Sequence, residues 1–223
     1  MPATARRPLA GRDGRERWMP RRERLVRYWD GQAASYDRKV ASVERRLLAD
    51  SRRWVCQRAT GSTLEVAVGT GLNLPYYPDD VDLVGVDWSP RMVRVTRQRA
   101  VGLGREMTLL PADAAALPFV DGRFDTVVST FALCCVPDER AALAEFVRVL
   151  RPGGSLLLAD HVVASNVLLR AVQHLVDLVS VPTQGEHYTR RPLDVVRQLD
   201  LTVVASERLT HGAIERVHAR RTS

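Results

Sequence analysis

From about residue 60 to residue 160 the chain alternates compact apolar runs with longer segments of helical period, the rhythm of a parallel sheet wrapped by helices. The compact runs predict strands over Thr63 to Val68, Leu83 to Asp87, Met107 to Pro111, Thr126 to Thr130 and Ser155 to Asp160. Between them helices are expected near Leu72, from Pro90 to about Leu103 and from Asp138 to Leu150. Ser89 before Pro90 reads as an N-cap followed by proline at the first helical position. Two arginine-faced helices, about Glu23 to Asp30 and Arg38 to Arg58, precede the first strand. Two more, about Val167 to Val179 and Pro192 to Leu199, lead to strand-like runs at Thr202 to Glu207 and Ala213 to Ala219. The longest apolar stretch, Val162 to Val181, is broken by Arg170, His174 and Asp177, which makes it an amphipathic helix and not a membrane span. An α/β fold with a doubly wound sheet follows from this order.

Two of these strands end in chemistry. The first runs into Gly69-Thr70-Gly71, a turn whose small residues let a ligand approach the backbone. The second closes on Asp87, and a carboxylate at that tip can accept hydrogen bonds from both hydroxyls of a ribose lying across the crevice. A dinucleotide would call for a third glycine, where Leu74 stands. Glu65, inside the first strand, suits a cationic ligand better than a pyrophosphate. S-adenosylmethionine (SAM) is such a ligand.

With these residues in place the chain resembles a class I SAM-dependent methyltransferase from about Tyr36 onwards. Pro111-Ala112-Asp113-Ala114, Phe124-Asp125-Thr126-Val127-Val128-Ser129 and Arg148-Val149-Leu150-Arg151-Pro152-Gly153-Gly154 match further family motifs in family order. The resemblance implies a seven-stranded Rossmann-like sheet ending in an antiparallel hairpin. It also implies a cofactor site drawn from Tyr36, Glu65, Ala67, Gly69, Gly71, Asn73, Asp87, Trp88, Met92, Asp113, Ala114, Thr130 and Phe131. Asp113 and the backbone amide of Ala114 would read the adenine edge, and Tyr36 would stand on a helix folded over the cofactor unless it is a simple core aromatic. Ala67 occupies a position where the family most often has glycine.

Composition narrows the setting. Apolar residues make up 45% of 223, ordinary for a globular protein. Three cysteines offer no disulfide framework and point to a reducing, cytoplasmic compartment. Of the net charge of +7, six charges fall between Met1 and Arg27, where nine arginines face Asp13, Glu16 and Glu23. Residues 1–21 are thus expected to form a flexible basic arm before a methyltransferase domain over 22–223. One reading of the arm is contact with an anionic membrane; the other is a solubilising tail in a chain that has 32 arginines and one lysine. Arg6-Arg7 lacks the apolar segment that an export signal would place after it.

The acceptor is expected over the carboxyl ends of the fourth and fifth strands, among Thr130, Phe131, Cys134, Cys135, Asp160 and His161. His161 is the candidate base, because an imidazole titrates near working pH; it could equally hold its loop through the backbone. Asp160 is its neighbouring candidate. Cys134-Cys135 would need a third close thiol to hold a metal, and Cys56 lies in another helix, so packing is expected and no metal site. His187 and Tyr188 either line the acceptor pocket or stand in solvent. Ser129-Thr130-Phe131-Ala132 replaces the Asn/Asp-Pro-Pro-Tyr/Phe motif of amino-directed nucleic-acid methylases, which argues against a nucleic-acid substrate. The motifs look most similar to two branches, the methyltransferase-like thiol S-methyltransferases and the bacterial phosphatidylethanolamine N-methyltransferases. A small thiol leads as acceptor, a lipid or other amine follows, and a catalytically silent SAM-binding protein is the rival from another class.

Overall fold

A computed structural model describes residues 21–222 of the chain. The basic arm expected before residue 22 lies outside the described residues, apart from Arg21, which opens the first helix.

The elements run α1 (Arg21–Gln32), α2 (Tyr36–Val43), a π-helical segment (Glu44–Leu48), α3 (Ala49–Cys56), β1 (Ser62–Val66), β2 (Asp82–Asp87), α4 (Pro90–Gly102), β3 (Thr108–Pro111), β4 (Phe124–Thr130), α5 (Glu139–Val149), β5 (Leu150–His161), α6 (Val167–Gln184), α7 (Pro192–Val196), β6 (Leu201–Leu209) and β7 (Ile214–Arg221). Seven strands form one sheet in the order β3-β2-β1-β4-β5-β7-β6. The first five are parallel, and β7 pairs antiparallel with both β5 and β6. Chain direction across the sheet reverses between β1 and β4, so a crevice opens at their carboxyl ends, where open α/β sheets bind ligands.

Successive residues of a strand serve opposite faces, which divides the core in two. On one face Leu64, Val86, Val127 and Leu156 pack with Leu143 and Phe146 of α5. On the other, Leu83, Val128 and Leu157 pack with Val55 and Cys56 of α3. The long apolar runs of these strands reflect that double burial.

Besides β5, which begins at Leu150 and not Ser155, and α7, which ends at Val196 and not Leu199, three elements differ from the sequence expectation. The helix expected near Leu72 is only a three-residue 3-10 turn, Leu74–Tyr76, because Pro75 and Pro78 cannot extend a helix. The helix expected from Arg38 to Arg58 holds together but passes through the π-helical register at Glu44–Leu48. The helix expected from Val167 to Val179 continues to Gln184 and is capped by Gly185 in the left-handed conformation. Ser89 caps α4 as expected, accepting from the Met92 amide.

Candidate cofactor and acceptor site

The turn after β1 is built by backbone conformation before any side chain takes part. Gly69 and Gly71 have φ of 58° and 79°, a region that glycine enters without penalty. A β-carbon on Gly69 would meet nothing closer than 4.0 Å, so that edge of the turn faces open space. Ala67 has a φ of 58° as well, which explains why glycine would be more comfortable there. The Gly69 amide donates to the Asp87 carboxylate at 2.9 Å and the Ser89 amide to its other oxygen at 2.8 Å. These two bonds aim the carboxylate while leaving lone pairs on each oxygen. Burial nevertheless pushes the Asp87 pKa up to about 6.

Above this turn stands a cleft of about 840 Å³, its open mouth included. Of the residues expected to bind cofactor, Tyr36, Ala67, Gly69, Asp87, Trp88, Met92, Asp113, Ala114, Thr130 and Phe131 line it together. The N-terminal helices supply its roof. Trp29 of α1 and Tyr36 of α2 meet edge to face and both line the cleft. Asp30 accepts from Ser89 and from the Arg91 amide, while Asp37 accepts from Thr70 at 2.7 Å. Asp113 accepts from the Ala115 amide and pairs with Arg22 of α1 at 3.3 Å.

Glu65, Gly71 and Asn73 are absent from the lining and stand behind it. Asn73 donates to Glu65 at 2.8 Å and to the Thr130 hydroxyl at 2.9 Å. The Glu65 carboxyl is buried, and burial raises its pKa to about 7 against the opposing effects of Tyr77, Arg52 and Asn73. Sequence reasoning missed Trp29 of the roof and, with more consequence, Arg52. Its guanidinium, 5% exposed, reaches from α3 to Thr130 (2.8 Å), Asn73 (3.1 Å) and Glu44 (2.7 Å), and lies over the Phe131 ring. In a chain with 32 arginines no spacing singles it out. The π-helical turn carries its partner Glu44.

At the far end Phe131, Ala132, Cys135 and Val136 wall the cleft. His161 lies just behind, its ring between Phe131 and Tyr188 at centroid distances of 5.1 and 5.7 Å. Tyr188 is thus brought to the acceptor end. Burial, aided by the Arg52 charge, pushes the His161 pKa down to about 4, so the imidazole is neutral at working pH and does not titrate there as expected. Asp160 is corrected more sharply. It accepts from the amides of Ala132, Leu133, Cys134 and His161, which makes it the anchor of the loop after β4 and keeps it off the cleft wall. Arg190 pins the same loop through the Leu133 and Val136 carbonyls. Cys134, Cys135 and Glu186 bring ligand atoms within 4.8 Å of one another, so the third donor beside the two thiols is a carboxylate and not Cys56.

The geometry tests the two kinds of adenosine ligand. A pyrophosphate needs the N-terminus of a helix at the glycine turn, and here a three-residue 3-10 turn follows it. A sulfonium with an adenosine and an amino-acid tail fits: Asp87 would take the ribose and Asp113 with Ala114 the base, while Arg52 lines the cleft as a cation.

Residues 64–158 match the family of the methyltransferase domain. A phosphatidylethanolamine N-methyltransferase of Cereibacter sphaeroides is 38% identical over 115 residues, 51% of this chain and 57% of its own length. A demethylmenaquinone methyltransferase of Thermus thermophilus is 39% identical over 107 residues, 47% and 49%. A human thiol S-methyltransferase is 30% identical over 152 residues, 67% and 60%. The chain therefore spans about half to three fifths of these relatives. The fold is shared with a SAM-dependent methyltransferase of Thermotoga maritima described as a possible histamine N-methyltransferase, with a TM-score of 0.67 and 22% identity over 89% of this chain and all of that one. Strand order, glycine turn and matched residues agree, and the chain carries a methyltransferase domain of the class I SAM-dependent family.

Proposed function

We propose that the chain transfers a methyl group from SAM to a small-molecule acceptor, with a small thiol first and an amine, including that of phosphatidylethanolamine, second. Bound in the cleft, SAM supplies a methyl already activated by its sulfonium. Asp87 would hold the ribose hydroxyls, Asp113 with the Ala114 amide the adenine, and Arg52 the amino-acid carboxylate. Tyr36 and Trp29 would keep water out.

The observation that carries the acceptor reading is the wall of Phe131, Ala132, Cys135 and Val136 backed by a neutral His161. In so apolar a space, opposite charges that cancel in the transition state are favoured over charges that merely move. A thiolate meeting a sulfonium cancels both charges; an amine ends as a cation. The acceptor sulfur–carbon bond forms as the sulfonium–methyl bond breaks, giving a thioether and S-adenosylhomocysteine, and the thiol proton leaves. The neutral His161 imidazole would accept the thiol hydrogen bond and align the sulfur. Its low pKa makes it a weak base, so most proton loss falls to solvent.

The test is a pH–rate profile of the full chain and of His161→Ala with a panel of small thiols. At saturating SAM the expected wild-type profile follows thiol ionisation and shows no break near 6.5 that depends on His161, with His161→Ala slower by about ten- to a hundredfold. A break near 6.5 that His161→Ala abolishes would restore the general-base reading. Turnover on phosphatidylethanolamine alone would move the acceptor to the lipid amine, and SAM binding with no S-adenosylhomocysteine from any acceptor would leave a silent binding protein.

A further inference from the structure

Helix α6 is amphipathic in the unusual sense. Its inward stripe is polar: Gln173 and Ser180 are buried, with Asp177 between them. Gln173 bonds the Ala164 amide and the Val162 carbonyl, Asp177 accepts from the Tyr188 amide and the Thr189 hydroxyl, and Ser180 donates to the Glu186 carbonyl. Its outward face is apolar. Leu168, Leu175 and Leu178 are 79%, 65% and 73% exposed, and Val167, Val172, Val176 and Val179 accompany them. Seven large apolar residues on one helix make a continuous stripe, not scattered surface hydrophobes, and such a stripe marks a contact surface.

We propose that this face of α6 seats on an anionic phospholipid bilayer, lying in its interfacial plane. Two observations select that occupant. The first is charge. The C-terminal end of α6 joins the arginine-rich α1, where Leu25 packs against Gly185 and Tyr28 donates to Gln184 at 2.6 Å. Arg24 and Arg27 of α1 are exposed, and the sequence before α1 adds further arginines, so positive charge adjoins the C-terminal end of the apolar stripe. That pairing is what an interfacial helix needs on anionic lipid. The second is the chain itself: residues 1–20 hold only Met1, Leu9, Trp18 and Met19 as large apolar side chains, too few to cover seven. Among the described residues no helix is long and apolar enough to cross a membrane, and α6 carries Arg170 and Asp177, so the contact lies along the surface.

This proposal stands apart from the choice of acceptor, although α6 and the acceptor end share a scaffold: the inner stripe of α6 holds the loop that carries Tyr188 against His161.

The test is co-sedimentation of the full chain with vesicles of phosphatidylcholine and phosphatidylglycerol in equal parts, and with phosphatidylcholine alone, at low and at physiological salt. The comparison is the triple variant Leu168→Gln, Leu175→Gln, Leu178→Gln. All three positions are solvent-facing, so its thermal unfolding and SAM binding should match the wild type. Expected is binding of wild type to the mixed vesicles, weaker binding to phosphatidylcholine, and a loss of about tenfold or more in the variant at physiological salt, where the arginine contribution is screened. Variant binding equal to wild type would overturn the proposal in favour of the arginines alone. So would no binding by wild type at low salt. A wild-type dimer by light scattering that the variant dissolves, with no vesicle binding, would assign the face to a second copy.

Discussion

Replacing Glu65 by glutamine should stabilise the protein, and only where the carboxyl would otherwise be charged. The group is 2% exposed, with one oxygen held by Asn73 and Tyr77 as a further hydrogen-bond partner. Burial raises its pKa from 4.5 to about 7 even though Tyr77, Arg52 and Asn73 oppose the rise. The folded state therefore binds the proton more tightly than the unfolded state. Below pH 4.5 both states are protonated and there is no penalty; between 4.5 and about 7 the unfolded chain has ionised first, and stability falls as pH rises. Above about 7 the full penalty, about 3 kcal/mol at ~1.4 kcal/mol per pH unit, is present. Glutamine keeps the acceptor oxygen that Asn73 uses and cannot ionise. Urea unfolding without cofactor, wild type beside Glu65→Gln at pH 4 and pH 8, isolates the effect, because Asp87 and Asp160 titrate alike in both proteins. The variant should gain on the order of 1–3 kcal/mol relative to wild type in going from pH 4 to pH 8. A stability difference that is the same at both pH values would refute the reasoning and show that Glu65 is neutral throughout or paired more fully than its geometry allows.

The same logic governs the other cleft residues. Asp87→Ala should weaken SAM binding by about ten- to a hundredfold in calorimetry, since charge-assisted hydrogen bonds contribute roughly 1.5–3 kcal/mol each. Wild-type affinity should itself decline below pH 6 as Asp87 takes up its proton. Ala67→Gly should leave stability unchanged or raise it by up to about 1 kcal/mol, whereas Ala67→Val should lower it by more than about 1 kcal/mol, because its φ of 58° excludes a β-branched residue; equal melting temperatures for the two variants would contradict the left-handed turn. Arg52→Met should cost about 3–5 kcal/mol in urea unfolding by leaving the Glu44 carboxylate without its partner, and a cost below about 1 kcal/mol would mean that the cation is not held inside.

Local physics made the sheet legible in the sequence alone. Double burial writes itself as apolar runs, Ser89 and Pro90 announce a helix start, and Gly69, Gly71 and Asp87 sit at strand ends that the runs already define. What no local pattern could decide was which groups meet across distance. Asp160 and His161 are adjacent in sequence, yet alternation along β5 turns one carboxylate into four backbone amides and places the other ring between Phe131 and Tyr188. Arg52 looks like any arginine until packing carries it to Thr130, 78 residues away. The pKa values of Glu65 and His161 follow from burial, which a sequence hints at but only the assembled core imposes. The Val162 to Val181 stretch shows the limit most plainly: its period marks an amphipathic helix, but which face turns inward is set by the carbonyls and amides it lands on, and here those select Gln173, Asp177 and Ser180 and leave the leucines outside.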